Sequence, residues 1–218
     1  MSDWLEWQVV DSAFPTGLFA HSSGLESAWQ HGEVERFADV QQFVEASILQ
    51  AGHATLPFVN DAFADRARLE ALDALAEAFL TNAVANRASR IQGRTLAATA
   101  ARIWPEPGMR SLQVRANALH AHVAPLSGAV FRQLHLRLVT VQRIVLYSTA
   151  RGVLSAAVRL GIIGSFEAQQ LQTSCTPCLD RVAQACSDFS VTDLAQTAPV
   201  IDVLQSAHDR LYSRLFQS

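Results

Sequence analysis

Apolar residues recur at spacings of three and four through nearly every long segment of the chain. Phe37, Val40, Phe43, Val44, Ile48 and Ala51 fall on one helix face. Leu69, Leu72, Leu75, Ala76, Phe79 and Leu80 form a second such stripe, and Val200, Leu204, Ala207, Leu211 and Leu215 a third. From Leu138 to Leu160 the sequence is apolar almost all round, interrupted by Arg143, Arg151 and Arg159, which predicts a central, mostly buried helix. No segment keeps the two-residue alternation of a half-buried strand. The pattern predicts an all-α fold: one helical bundle of about ten helices, with residues 1–218 as a single domain, because no linker is long or polar enough to divide it.

The interruptions are short. Asp11 to Gly17 reads as a turn, and WPEPGM at 104–109, with two prolines and a glycine, as the strongest break. His122 to Gly128 reads as another turn. Gly161 to Ser165 ends the central helix, with Ser165 as the expected cap of the next and Glu167 in its first turn. Ser22 or Ser23 is placed as a cap before Gly24 and Glu26. Thr197-Ala198-Pro199 opens the last helix, since proline is tolerated in a first turn.

Composition narrows the chemistry. Half of the residues are hydrophobic and only 17% charged, and the net charge is −3, so no general field attracts nucleic acid. All 17 basic residues are arginine. With no lysine there is no P-loop lysine, no Schiff base and no Ser-x-x-Lys nucleophile. The opening MSDWLEWQVV has no basic region before its apolar residues, and no charge-free apolar run is long enough for a spanning helix, so neither a secretory leader nor a membrane span is expected. Three cysteines without a leader suggest a reduced, cytoplasmic setting.

Few residues offer chemistry. Cys175-Thr-Pro-Cys178 is a C-x-x-C, with Cys186 about two helical turns on; with no second pair to complete a metal set, buried packing is the commoner role. His120 and His122 would point to opposite sides of a helix, but could converge in an extended stretch before Pro125. The expected arrangement is one packed and one exposed. A helical metal or thiol-redox enzyme using Cys175, Cys178 and His120 or His122 remains the alternative reading. A glycine-rich phosphate loop, G-x-S-x-G and H-E-x-x-H are all absent from the sequence. On the last helix, Arg210 and Arg214 would flank the apolar stripe on one side, with Tyr212 and Phe216 on the other. Arg, Tyr and Phe are residues that interfaces favour.

Five segments in order carry a family resemblance: DSAFPTGLFAHSSGLESAW at 11–29, ANRASRIQGRTL at 85–96, HVAPLSGAVF at 122–131, VLSAAVRLGIIGSFEAQQLQ at 153–172 and HDRLYSRLFQS at 208–218. Together they resemble the UreF family of urease accessory proteins. The chain departs from the family pattern at Leu18, where a second glycine is usual, and at Leu126-Ser127. CTPC is not a family motif. The resemblance implies an all-helical, cytoplasmic homodimer without enzymatic activity or cofactor. It implies a scaffold joining a UreD/UreH-type accessory protein to the UreG GTPase, supporting nickel delivery into apo-urease and gating GTP hydrolysis. By position it makes Arg210, Tyr212, Arg214 and Phe216 partner-binding. It makes Pro15, Gly17, Phe19, His21, Gly24 and Glu26 a structural motif beside that surface.

Overall fold

The computed structural model describes residues 4–16 and 20–217. They form twelve α-helices and, among the described residues, no strand. The helices are α1 (Trp4–Val10), α2 (Leu25–Gln30), α3 (Phe37–Ala54), α4 (Leu56–Ala64), α5 (Leu69–Phe79), α6 (Ala83–Ile103), α7 (Pro107–Ala118), α8 (Val123–Gln133), α9 (Leu138–Arg159), α10 (Ser165–Ser174), α11 (Thr176–Ala185) and α12 (Pro199–Ser206). No helix among the described residues is long and apolar enough to cross a membrane.

The expected central helix is α9. Val141, Ile144, Leu146, Ala150, Val153, Leu154, Ala156 and Ala157 are buried along it, and it packs on α1, α2, α3, α4, α8, α10 and α11. It joins the two large apolar clusters. Leu146 to Leu160 meet α2, α3, α10 and α11, while Val141 and Ile144 meet α6, α7 and α8. The stripe on α3 is buried as the periodicity predicts, at Val40, Phe43, Val44, Ile48 and Ala51.

Local chemistry departs from the sequence reading in three places. The 122–128 stretch is the first turn and a half of α8 rather than a turn, because Pro125 lies in the first turn, where its missing N–H costs nothing. Gly128 follows, where α8 crosses α4 so closely that a Cβ would lie 2.3 Å from the Val59 carbonyl oxygen. Ser165 is the first residue of α10 and not its cap. Gly164 is the cap, and the Glu167 carboxylate accepts from the Gly164 N–H at 2.7 Å. Neither Ser22 nor Ser23 caps α2, which starts from Gly24 at φ +91°.

After α11 the chain wraps the bundle as a strap, held by side chains rather than by its own helical bonds. The buried Asn60 amide donates to the Phe189 carbonyl at 2.8 Å, and Gln142 donates to Ser187 and Asn60. Gln50 Oε1 accepts from the Thr197 N–H, the Thr197 hydroxyl and the Ala198 N–H. Asn82 caps α6 with its oxygen and donates its amide to Asp202.

Gly128→Ala should destabilise the protein by about 1–3 kcal/mol, because backbone on α4 must move to admit the methyl group. Gly152→Ala, on α9 with no atom within 4 Å of its added Cβ, should be neutral or stabilising by up to about 1 kcal/mol. Melting temperatures of the two variants check the contrast.

Candidate functional site

The third apolar stripe does not continue as a helix. α12 stops at Ser206, Ala207–Arg210 form a 3-10 turn, and from Leu211 the backbone is irregular. The cause is Glu26, buried on α2 at 1% exposure. Its carboxylate accepts from the Leu215 N–H at 2.6 Å, the Phe216 N–H at 3.2 Å and His208 Nε2 at 3.1 Å. A buried carboxylate needs donors on both oxygens. A continued helix would spend the 215 and 216 amides on its own carbonyls. The Gln217 N–H donates to the Ala20 carbonyl and Gln30 donates to the Ser213 carbonyl, closing the tail onto the same region.

This geometry sorts the expected partner-facing residues. Tyr212 is fully exposed, Arg210 is exposed, and Arg214 stands at 47% exposure with Asp209 at 3.6 Å. Phe216 is a correction: it is buried in the larger core cluster, with the Arg159 guanidinium 4.3 Å from its ring centroid. The tail therefore packs into the folded body. Leu215 takes the outward position instead, at 61% exposure.

The motif beside the tail is placed as follows. Gly24 packs against α12, where an added Cβ would lie 3.1 Å from Gln205 Cβ. Pro15 is exposed, and its carbonyl accepts from the Thr99 hydroxyl. His21 is buried. Burial pushes its imidazole below the ordinary value, and His208 and Arg87 add to the effect. Gly17 and Phe19, with Leu18 between them, lie outside the described residues. Arg87 reaches the same neighbourhood from α6 and pairs with Asp209 at 2.8 Å.

His120 and His122 do come together outside a helix, in backbone turned at Ala121 (φ +69°) rather than extended, their ring centroids 6.2 Å apart. As expected, one is packed and one exposed. His122 is fully buried between Glu77 (Nε2 to Oε2, 2.9 Å) and Ser89 (Nδ1 to Oγ, 3.1 Å), while the His120 side chain is 45% exposed. The Glu77 carboxylate only accepts, so Nε2–H donates to it; in the neutral ring Nδ1 is then the acceptor and takes the Ser89 hydroxyl proton, while Ser89 Oγ accepts from the Val123 N–H. The buried Asp73 carboxylate fixes the loop by accepting from the His120 and His122 N–H groups, both at 2.8 Å. Burial lowers the His122 pKa despite the opposing pull of Glu77 and Asp73. Hydrogen bonds from Asn86 and His122 hold the Glu77 carboxyl below its ordinary value. No group of three His, Cys, Asp or Glu among the described residues has metal-holding geometry. Cys175, Cys178 and Cys186 are all buried, and burial pushes each thiol up, away from the reactive thiolate. Sequence reasoning placed Glu26 in the first turn of its helix and, by resemblance, in the structural motif, without the tail donors that its carboxylate binds. It missed Asp73, Glu77, Gln50 and Asn82, whose partners lie far away in the chain.

Comparison with known proteins accords with this architecture. The UreF family model matches residues 34–176. The chain belongs to the UreF family of urease accessory proteins. It is 37% identical to urease accessory protein F of Oryza sativa subsp. indica, covering 98% of this chain and 84% of the relative. It is 35% identical to urease accessory protein F of Arabidopsis thaliana, covering 99% and 92%. It is 31% identical to urease accessory protein UreF of Cereibacter sphaeroides, covering 97% and 96%. The tail site lies beyond the segment that the family model matches.

Two outcomes follow. Glu26→Gln presents only one acceptor oxygen to three donors, so it should cost roughly 2 kcal/mol. Amide exchange should then speed up at residues 208–217 before it does in α9, as read by hydrogen–deuterium exchange. His21 and His122 both have depressed folded-state pKa values, so the unfolded chain binds protons that the folded chain resists. Stability should therefore be full above the ordinary imidazole value of about 6.5 and fall as pH drops below it. Urea midpoints between about pH 7.5 and about pH 5 measure this, and His122→Gln should flatten the slope.

Proposed function

We propose that the chain is a non-enzymatic scaffold for urease maturation. It binds a UreD/UreH-type accessory protein and the UreG GTPase, supports nickel delivery into apo-urease and gates GTP hydrolysis by the partner. We further propose that it works in the cytoplasm, as a single-domain homodimer. The observation that carries this reading is the tail. Arg210, Tyr212 and Arg214 stand exposed on a segment whose neighbours His208, Leu215 and Phe216 are tied to a buried carboxylate. Most of the ordering entropy of such a segment is lost on folding rather than on association, so exposed aromatic and guanidinium groups there can act as anchors. Similarity over nearly the whole of this chain to urease accessory proteins of plants and a bacterium supports the choice of partners.

Tyr212→Ala combined with Arg214→Ala should weaken capture of the UreD/UreH-type partner by about thirtyfold or more, the scale of one interface hot spot of about 2 kcal/mol. The melting temperature should stay nearly unchanged, because neither side chain is buried. Phe216→Ala should lower the melting temperature instead. Pull-down and thermal melts on the same preparations separate the two. Unchanged capture by the double variant would remove the tail from the partner surface.

A further inference from the structure

We propose that the Arg87–Arg90–Arg94 face of α6 is a second docking surface, one that takes an acidic segment of a partner protein. The inference rests on the reading of the chain as a partner-binding subunit, but concerns a face outside the exposed residues of the tail.

α6 carries four arginines and no carboxylate over its 21 residues. Arg87, Arg90 and Arg94 follow one another at three and four residues, so they share one face. They border an open hollow of about 620 Å³ between the end of α5 and the first half of α6, with Glu77 on its far side. Ile91, 40% exposed, adds an apolar contact on the same face. None of these three arginines lies in the first or last turn of α6, so the helix dipole does not account for them. Internal neutralisation is incomplete. Arg87 pairs with Asp209 at 2.8 Å, and Asp209 is shared with Arg214 at 3.6 Å. Arg90 meets Glu77 only at 3.9 Å, and Glu77 already serves His122 at 2.9 Å. Arg94 has no ion pair with any described residue. The three guanidinium groups of this face thus have two nearby carboxylates, each of which also serves another side chain.

A carboxylate-rich protein segment fits this arrangement better than a nucleic-acid strand. Three arginines span about 10 Å of helix, at ~1.5 Å per residue, which suits two or three carboxylates held in bidentate pairs. Glu77 and Asp209 oppose any anion beside them, so a peptide that places carboxylates only where the arginines stand fits better than a continuously charged phosphodiester strand that must run past both.

The test is a fluorescence-anisotropy titration of the full chain. The probe is a labelled peptide of about twelve residues alternating Glu and Ala, with its Gln counterpart as control. Two variants are read: Arg94→Glu, and Arg90→Gln combined with Arg94→Gln. Circular dichroism confirms the fold of each. The expected result is binding of the Glu peptide that weakens at least about tenfold in both variants, falls steeply with added salt and is absent for the Gln peptide. Equal binding by the variants, or no binding of the Glu peptide at low salt, overturns the proposal. Displacement of the peptide by an equal concentration of inorganic phosphate would mark a small-anion site, and tighter binding of a short single-stranded oligonucleotide a nucleic-acid site. Either result overturns it too. Because no partner protein enters the titration, its failure is distinguishable from failure of the tail variants to change partner capture.

Discussion

A carboxylate placed inside a protein must be met by donors, or it costs several kcal/mol of lost hydration. Glu26 is such a group, and the donors it takes come from the far end of the chain. That requirement organises much of one face of the molecule. It ends α12 at Ser206, brings His208 and Phe216 inside, and closes Gly24 against Gln205. It also leaves Tyr212 outside, since the peptide units on either side of that residue are held in place. The short α2 would bury little by itself. It is held because the strap lies across it.

The same logic runs along the strap from Cys186 to Asp202. Its backbone groups find partners in amide side chains from the body: Asn60, Gln142, Gln50 and Asn82. Side-chain amides both donate and accept, so each can serve an irregular backbone that offers carbonyls and N–H groups in no fixed order. A strap fastened at several separate points loses little when one fastening is removed. Glu26 differs because a single group holds three donors.

The helices were legible because their packing is a matter of period. Stripes on α3 and α9 follow from apolar spacing and are largely buried, while on α5 Leu69, Leu72 and Ala76 are buried but Leu75 stands exposed and Asp73 takes a buried place. The tail was not legible for the same reason. Leu204, Leu211 and Leu215 keep helical spacing, yet the decisive interaction is with a glutamate some 190 residues away, which no local pattern reveals. Phe216 and Leu215 exchange their expected roles once the helix ends early. For the 122–128 stretch, proline and glycine together suggested a turn. In the fold the proline sits in the first turn of a helix and the glycine admits a neighbouring backbone. The split between a packed and an exposed histidine at 120 and 122 was readable. The carboxylates that enforce it, Asp73 and Glu77, lie on another helix and were not. The family was readable from ordered motifs. Those motifs did not reveal that the arginines in ANRASRIQGRTL gather around a hollow.

Asp209 joins the two exposed surfaces, since one of its oxygens lies near both Arg87 of α6 and Arg214 of the tail. An acidic group arriving at Arg87 or Arg214 competes with a carboxylate already in place, so exchange leaves the number of ion pairs unchanged. Exposed pairs of this kind contribute about 0–1 kcal/mol each, and any gain must come from added contact and excluded water. Arg94 is different, because it has no internal carboxylate to give up. Along one helix face the arginines therefore divide into two kinds: Arg87, which ties the tail to the bundle, and Arg94, whose pairing capacity is left for another molecule.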